Sequence, residues 1–255
     1  MFNFVSLFVA AALVLLQCSS ESNALLQTKI NQHNTLESNE IPTRRRKEIM
    51  KYVKINEAPP ETIYNPETPL VLQCEVWGKP APLVNWLKNG LSITDFEEDS
   101  TEIFSSHPSS VAGLISKLVI DNVSNGDVFA CVATAGLNQK TASTTIYIDE
   151  DFVGLELPAV PIITANYFNI LQNQGSSVTL PCRYYSQTNA QVLWLDVNGH
   201  LIFDNSKMTV LPSGDLQIKH LDFKTDTGIY TCTVKNMYGT DTVTTFLYTF
   251  LTLDN

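Results

Sequence analysis

The most informative run of the sequence is Asp226-Thr227-Gly228-Ile229-Tyr230-Thr231-Cys232. Apolar and polar residues alternate around the cysteines of the chain, which predicts β-strands with one buried face. An earlier alternating run, Val178-Thr179-Leu180-Pro181, leads into Cys182, and Trp194 follows Cys182 with eleven residues between them. A cysteine, a tryptophan and a second cysteine, each within an alternating segment, indicate an all-β domain.

The same pattern occurs once more, earlier in the chain. Cys74 is followed by Trp86 at the same spacing, and Cys131 closes the repeat. Phe129 stands where the later copy has Tyr230, so the earlier copy keeps the ring but lacks the hydroxyl group. Two copies of one pattern in 255 residues predict two tandem domains of about 100 residues each.

The amino terminus predicts export from the cell. Residues 2–16 form an uncharged apolar run followed by small and polar residues, which is typical of a signal peptide at residues 1–20. The alternative is an uncleaved membrane anchor, although a spanning helix needs roughly 20 apolar residues. Cleavage removes Cys18, and the four cysteines that remain suit a secreted, disulfide-bonded chain. Their number alone allows three pairings.

The run Asp-x-Gly-x-Tyr-x-Cys closely resembles the immunoglobulin superfamily, and the resemblance covers about residues 52–148 and 158–251. It implies two tandem immunoglobulin-like sandwiches of the I-set or C2 type, in which a disulfide bridges the two sheets and the tryptophan packs on it. The implied disulfides are Cys74–Cys131 and Cys182–Cys232. The implied core rings are those of Trp86, Trp194, Phe129 and Tyr230.

We assign the two domains to residues 51–148 and 158–251, with a linker at residues 149–157. Residues 21–50 are polar and lack periodicity, which predicts a flexible arm. Within the arm, Arg44-Arg45-Arg46-Lys47 is a processing site, a heparin contact or simply a solvated run. Asn122-Val123-Ser124 is an N-glycosylation sequon in a predicted turn, so we expect a glycan on Asn122.

Composition narrows the function. The chain has 16 basic and 26 acidic residues, and its net charge of −10 argues against binding nucleic acid, because phosphate binding needs a cationic surface. The histidines are scattered, and the sequence has neither a glycine-rich phosphate loop nor a nucleophile elbow. We therefore expect a binding protein that is not an enzyme, uses no cofactor or metal, and does not insert into membranes.

A closer resemblance is to the arthropod neural/ectodermal development factor family. It rests on Tyr52-Val53-Lys54, Leu180-Pro181-Cys182-Arg183 and the closing Thr245-Phe246-Leu247-Tyr248, which lie in both domains. Secreted nematode proteins with two immunoglobulin domains, the zwei-Ig proteins, are similar as well. The resemblance implies a secreted developmental protein that binds insulin-like peptides and antagonises insulin signalling. The alternative is a neuronal adhesion, axon-guidance or axon-maintenance factor that binds cell-surface proteins.

A binder of an apolar hormone patch should expose apolar side chains of its own. Trp77 is a tryptophan outside the repeated pattern, and the last predicted strand carries Phe246, Tyr248 and Phe250. We expect these four residues to include partner contacts. The alternative for Trp77 is ordinary packing, and the alternation of the last strand places half of it in the core. The sequence leaves dimerisation open.

Overall fold

The computed structural model describes residues 50–93, 107–149 and 159–251, which belong to one compact unit. The expected signal peptide, all of the polar arm before Met50 and most of the linker lie outside the described residues. So does the run Arg44–Lys47. Within the described part of the chain, no helix has the length and hydrophobicity needed to span a membrane.

Eight strands form the N-terminal sandwich, and their bounds in chain order are β1 (Tyr52–Glu57), β2 (Thr62–Tyr64), β3 (Leu70–Lys79), β4 (Leu83–Lys88), β5 (Leu91–Ser92), β6 (Val111–Ile120), β7 (Val128–Ala135) and β8 (Asn138–Tyr147). One sheet has the order β1-β3-β6, and the other has the order β2-β8-β7-β4-β5. Buried and exposed residues alternate along β3, because one face of each sheet packs into the core.

The C-terminal sandwich follows with β9 (Ile162–Asn173), β10 (Val178–Leu180), β11 (Cys182–Tyr185), β12 (Gln191–Leu195), β13 (Met208–Val210), β14 (Leu216–Ile218), the single-turn helix α1 (Phe223–Asp226), β15 (Gly228–Lys235) and β16 (Thr240–Phe250). One sheet contains β9, β16, β15 and β12, and the other has the order β10-β14-β13. Pro181 separates β10 from β11, which pair with β14 and β9 respectively. Proline has no N–H group to continue a ladder.

Each core is built around a disulfide. The structure joins the cysteines as Cys74–Cys131 and Cys182–Cys232. Trp86 lies opposite Cys131 and Trp194 lies opposite Cys232, and both rings are buried. The indole N–H of Trp194 donates to the Gly214 carbonyl at 2.8 Å, so the buried donor is satisfied.

The two sandwiches fix the strand that ends in the second cysteine differently. In the C-terminal sandwich the buried Tyr230 hydroxyl donates to the Asp226 carbonyl at 3.2 Å. In the N-terminal sandwich Phe129 is equally buried and has no hydroxyl, and Asp127 supplies the polar contact instead. Its carboxylate lies 2.9 Å from the ammonium group of Lys88, at the end of β4.

The environment of Asp127 favours its ionised form. Burial by itself raises the pKa of Asp127, but the Lys88 ammonium and the N–H donors of Ser124 and Asn89 outweigh it and hold the pKa below its ordinary value. The same Lys88 ammonium lies 5.5 Å from the centroid of the Phe129 ring. A charge network therefore ties β7 to β4 where the other sandwich uses a tyrosine.

The two sandwiches share a sheet. β6 of the N-terminal sandwich pairs antiparallel with β9 of the C-terminal sandwich, from Val111↔Leu171 to Ser116↔Ala165. The ladder makes the order β1-β3-β6-β9-β16-β15-β12 continuous across the joint. The sequence predicts two sandwiches joined by a linker and gives no sign of this pairing.

Candidate binding face on the shared sheet

One row of residues crosses both sandwiches on the outer face of the shared sheet. Residues paired across neighbouring strands point to the same side, and the row contains Trp77, Gly113, Asn169, Phe246 and Ile229. Its ends are about 19 Å apart, because adjacent strands are about 4.8 Å apart. The strand neighbours of Trp77 and of Phe246 are buried in the two cores, so these two side chains point outward.

Phe168 covers the middle of this row. The register of the ladder shifts by one residue after Gly113, and Phe168 is the extra residue of β9. A Cβ atom on Gly113 would lie 2.2 Å from Cζ of Phe168, so the ring lies directly on the glycine. Phe168 also meets the ring of Trp77 edge to face, with centroids 5.2 Å apart. The aromatic contact therefore joins the two sandwiches.

A second row runs beside the first and includes Val111, Leu171 and Tyr248. Phe223 of α1 packs edge to face on Tyr248, with centroids 6.0 Å apart. Phe246 is 40% exposed and Ile229 is 55% exposed, which is a high exposure for large apolar residues in strand interiors.

We call this surface the aromatic face, defined by Trp77, Phe168, Phe223, Ile229, Phe246 and Tyr248. Phe223, Ile229, Phe246 and Tyr248 are exposed, whereas Trp77 and Phe168 are half-buried. Clusters of exposed apolar side chains mark sites of protein–protein contact. Three of the four residues expected from the sequence as partner contacts, Trp77, Phe246 and Tyr248, are members. Phe250 lies one step further along β16 on the same side, opposite Asn173, and is half-buried.

Phe168, Phe223 and Ile229 are not predicted from the sequence. Ile229 could have been found from the sequence. It is next to the core residue Tyr230, so its side chain points outward, and it is apolar where a solvated strand normally carries a polar residue. No sequence signal of this kind exists for Phe168, whose direction depends on the bulge in β9. Phe223 lies on a helical turn whose only link to the face is its contact with Tyr248.

A buried polar atom without a partner lies within the first row. Oδ1 of Asn169 is inaccessible to solvent and accepts no hydrogen bond in the described structure. Leaving such an acceptor unpaired costs free energy.

Charge is distributed unevenly on the outer side of the shared sheet. Lys54 lies opposite Trp77, and Lys79 and Lys117 point to the same side, together with Glu75 and its pairing partner Glu57. Along β15 and β16 the outward residues of the C-terminal half are uncharged until Lys235 at the far end. The aromatic face therefore has a flank with a small cationic excess on a chain of net charge −10, which suits a partner with acidic groups beside an apolar patch.

Side-chain contacts hold the joint on both sides of the ladder. The Tyr185 hydroxyl of β11 donates to the Asp121 carboxylate of the N-terminal sandwich, with oxygen distances of 2.8 and 2.9 Å. The Ser109 hydroxyl donates to Asn173 Oδ1 at 3.0 Å. Asn122, the expected glycosylation site, is exposed beside Asp121, and its glycan stays a prediction.

The aromatic face consists of aromatic and aliphatic side chains, of which Tyr248 alone carries a hydroxyl group. Its members carry no carboxylate, imidazole or thiol, and the described ranges hold no group of three or more His, Cys, Asp or Glu residues arranged for a metal ion. The face offers apolar area, a flank with a small cationic excess and a fixed backbone. These are means of binding another molecule.

Comparison with known proteins agrees with the fold. The immunoglobulin I-set domain matches residues 53–148, and a further immunoglobulin domain matches residues 161–236. The chain is therefore a protein of two tandem immunoglobulin domains, and the predicted all-β fold class is confirmed.

Over both domains the chain is similar to neural/ectodermal development factor IMP-L2 of Drosophila melanogaster. The two are 26% identical over 229 residues, which cover 86% of this chain and 84% of that protein. A crystal structure of IMP-L2 matches with a TM-score of 0.70 and 25% identity, over 80% of this chain and 98% of that one. The predicted resemblance to this family is confirmed.

Two other relatives broaden the comparison. Zwei Ig domain protein zig-3 of Caenorhabditis elegans is 27% identical over 70% of this chain and 73% of its own length. Human neural cell adhesion molecule L1 is 28% identical over 72% of this chain but only 14% of its own length. The fold and the relatives are those of extracellular immunoglobulin-type binding proteins, and the chain is not an enzyme.

Proposed function

We propose that the chain is a secreted binding protein that sequesters insulin-like peptides and so antagonises insulin signalling. The observation that carries the proposal is the aromatic face, because it takes Trp77 from one sandwich and Phe168, Phe246 and Tyr248 from the other. The similarity to IMP-L2 likewise spans both domains. A binding surface that needs both domains explains why the similarity extends over the two domains together.

The mechanism is competition for the apolar patch through which an insulin-like hormone docks on its receptor. Aromatic anchors near the centre of an interface supply most of its binding free energy, about 2 kcal/mol or more for each strong one. A hormone whose patch is buried against Phe246 and Tyr248 cannot present it to the receptor. Free hormone then falls once the concentration of the binder exceeds the Kd.

The rigid joint between the two sandwiches reduces the conformational entropy that binding costs. The β6–β9 ladder and the contact between Trp77 and Phe168 fix the two halves of the face before a partner arrives. Little conformational entropy is then lost on association, which favours affinity. Lys54 and Lys79 add electrostatic attraction towards acidic groups on the hormone, and this acts mainly on the association rate.

The test is a calorimetric titration of the secreted full chain with an insulin-like peptide. We expect a Kd below about 1 μM, which corresponds to about −8 kcal/mol. Phe246→Ala should weaken binding tenfold or more without lowering the melting temperature, and Tyr248→Ala should weaken binding to a similar extent. Leu137→Ala is the control, because Leu137 is fully exposed in the turn between β7 and β8. No heat of binding at micromolar concentrations would refute the proposal.

The second candidate is a neuronal adhesion or axon-maintenance factor, and the observation that favours it is the similarity to L1 and zig-3. The same aromatic face would then contact a cell-surface protein. Fluorescently labelled chain applied to cultured neurons in hormone-free medium separates the two functions. Saturable labelling that Phe246→Ala abolishes would favour adhesion, and absence of labelling would favour sequestration.

A further inference from the structure

The N-terminal sandwich has a second outer face, formed by β2, β8, β7, β4 and β5, and the outward positions that the structure describes on these strands carry no charged residue. These outward positions are Gln139, Thr141, Ser143, Thr145 and Tyr147 of β8, Val128, Ala130, Val132 and Thr134 of β7, Leu83, Asn85 and Leu87 of β4, Ser92 of β5, and Thr62 and Tyr64 of β2. About a quarter to a third of the residues on a soluble surface are normally charged. We call this surface the neutral face.

The neutral face is built mainly from small side chains. Thr141, Ser143 and Asn85 are exposed on it, and Ala130 and Leu87 are half-buried between them. A stacked pair of tyrosines, Tyr64 and Tyr147, closes one end, with ring centroids 5.2 Å apart and Tyr64 70% exposed. Interface centres are depleted of charge and enriched in tyrosine in the same way.

We propose that the neutral face pairs with the same face of a second copy of this chain. Two chains that each carry a net charge of −10 repel, and a contact between uncharged faces keeps like charges out of the interface. A charged partner would find nothing on this face to pair with. A second copy brings the same hydroxyl groups, and each of these both donates and accepts, so the face is complementary to itself across a two-fold axis.

The size of the face agrees with a weak, reversible dimer. The five strands contain 29 residues, and each residue covers about 3.3 Å along the strand and about 4.8 Å across it. The resulting area is roughly 460 Å² per copy, below the roughly 800 Å² of a standard interface. We therefore expect a Kd for dimerisation in the micromolar range.

The dimer leaves the aromatic face open. The two sheets of the N-terminal sandwich pack core to core, so their outer faces point in opposite directions. The neutral face belongs to one sheet, and Trp77 belongs to the other. Pairing through the neutral face thus yields a particle with two outward aromatic faces, whatever molecule these bind.

Analytical ultracentrifugation of the full secreted chain, from 1 to 200 μM, tests the proposal. We expect a reversible monomer–dimer equilibrium that added salt strengthens, because salt screens the repulsion between two acidic chains. Asn85→Asp, which is isosteric, and Ser143→Glu should each weaken dimerisation at least tenfold. Gln187→Glu, in an exposed loop of the C-terminal sandwich, adds the same charge elsewhere and should leave the dimer intact.

A charge-swap experiment separates a direct contact from a loss of folding. Ser143→Glu and Ser143→Lys should each be monomeric with unchanged melting temperatures, and an equimolar mixture should form a heterodimer. A chain that stays monomeric to 200 μM overturns the proposal. So does a dimer that survives both Asn85→Asp and Ser143→Glu, since that dimer would use another surface.

Discussion

The ring of Phe168 occupies the space that a side chain at position 113 would need. The two residues belong to different sandwiches, and the ring atom Cζ would lie 2.2 Å from a Cβ on Gly113. The close approach of the ring to β6 therefore depends on a glycine. Trp77, on the next strand, holds the other edge of the ring.

We predict that Gly113→Ala displaces the Phe168 ring from Trp77. The ring is half-buried and can move outward, so the cost in free energy of unfolding should be moderate, about 1–2 kcal/mol. Urea unfolding followed by tryptophan fluorescence measures it. The double variant Gly113→Ala/Phe168→Ala should be less destabilised than the sum of the two single variants, because the clash is then absent. Additive effects would contradict the packing described here.

We predict that the two sandwiches unfold in one cooperative transition. Separating them would expose the paired edges of β6 and β9 and break the hydrogen bond between Tyr185 and Asp121. Differential scanning calorimetry of the full chain should give one peak whose calorimetric and van't Hoff enthalpies agree. Two resolved peaks would mean that the shared ladder contributes little to the coupling.

We predict that Trp77→Ala lowers both stability and affinity, whereas Phe246→Ala lowers affinity alone. Trp77 packs on Phe168 across the joint, so its removal should lower both the melting temperature and the affinity for an insulin-like peptide. Phe246 has 40% of its surface exposed, so its removal should lower the affinity alone. Melting curves and titrations of both variants, run on the same preparations, give the comparison. Equal affinity loss with equal loss of stability would assign both residues to packing.

We predict a pH-dependent contribution from Asp127. Its pKa in the folded chain lies below the ordinary value of 3.8, so the carboxylate stabilises the fold above that value and the contribution disappears as the pH falls through the folded pKa. Asp127→Asn should cost about 1 kcal/mol near neutral pH, since Lys88 is partly solvent-exposed.

Urea unfolding at pH 7 and at pH 3 measures the change, and the difference between Asp127→Asn and the original chain should shrink at the lower pH. Asp204→Asn serves as the control, because Asp204 is an exposed carboxylate in the loop before β13. A difference that stays constant with pH would exclude an electrostatic role for Asp127.

Much of the fold could be predicted from the sequence because it depends on local alternation and on spacing. The strands around Cys74, Trp86 and Cys232 follow from period-two patterns, and the structure has strands there. The run 178–182 is instead split at Pro181, whose missing N–H group ends one ladder and lets the chain cross to the other sheet. Of the aromatic face, Trp77, Phe246 and Tyr248 are foreseen from the sequence.

Other members of the aromatic face could not be predicted, because their positions depend on which strands pair with each other. Phe168 has no distinctive sequence context, and its position follows from a register shift opposite Gly113. The charge-free character of the neutral face is likewise hidden, since its residues come from five strands that are far apart in the chain.

Two immunoglobulin sandwiches can be predicted from the residues, since each depends on its own cysteines, tryptophan and alternating strands. The pairing of β6 with β9, and the aromatic surface that the two sandwiches share, are seen only in the three-dimensional fold. A β-ladder is made by backbone groups, which every residue except proline carries in the same form. Side-chain patterns show which face of a strand is buried, but they do not show which edge finds a partner.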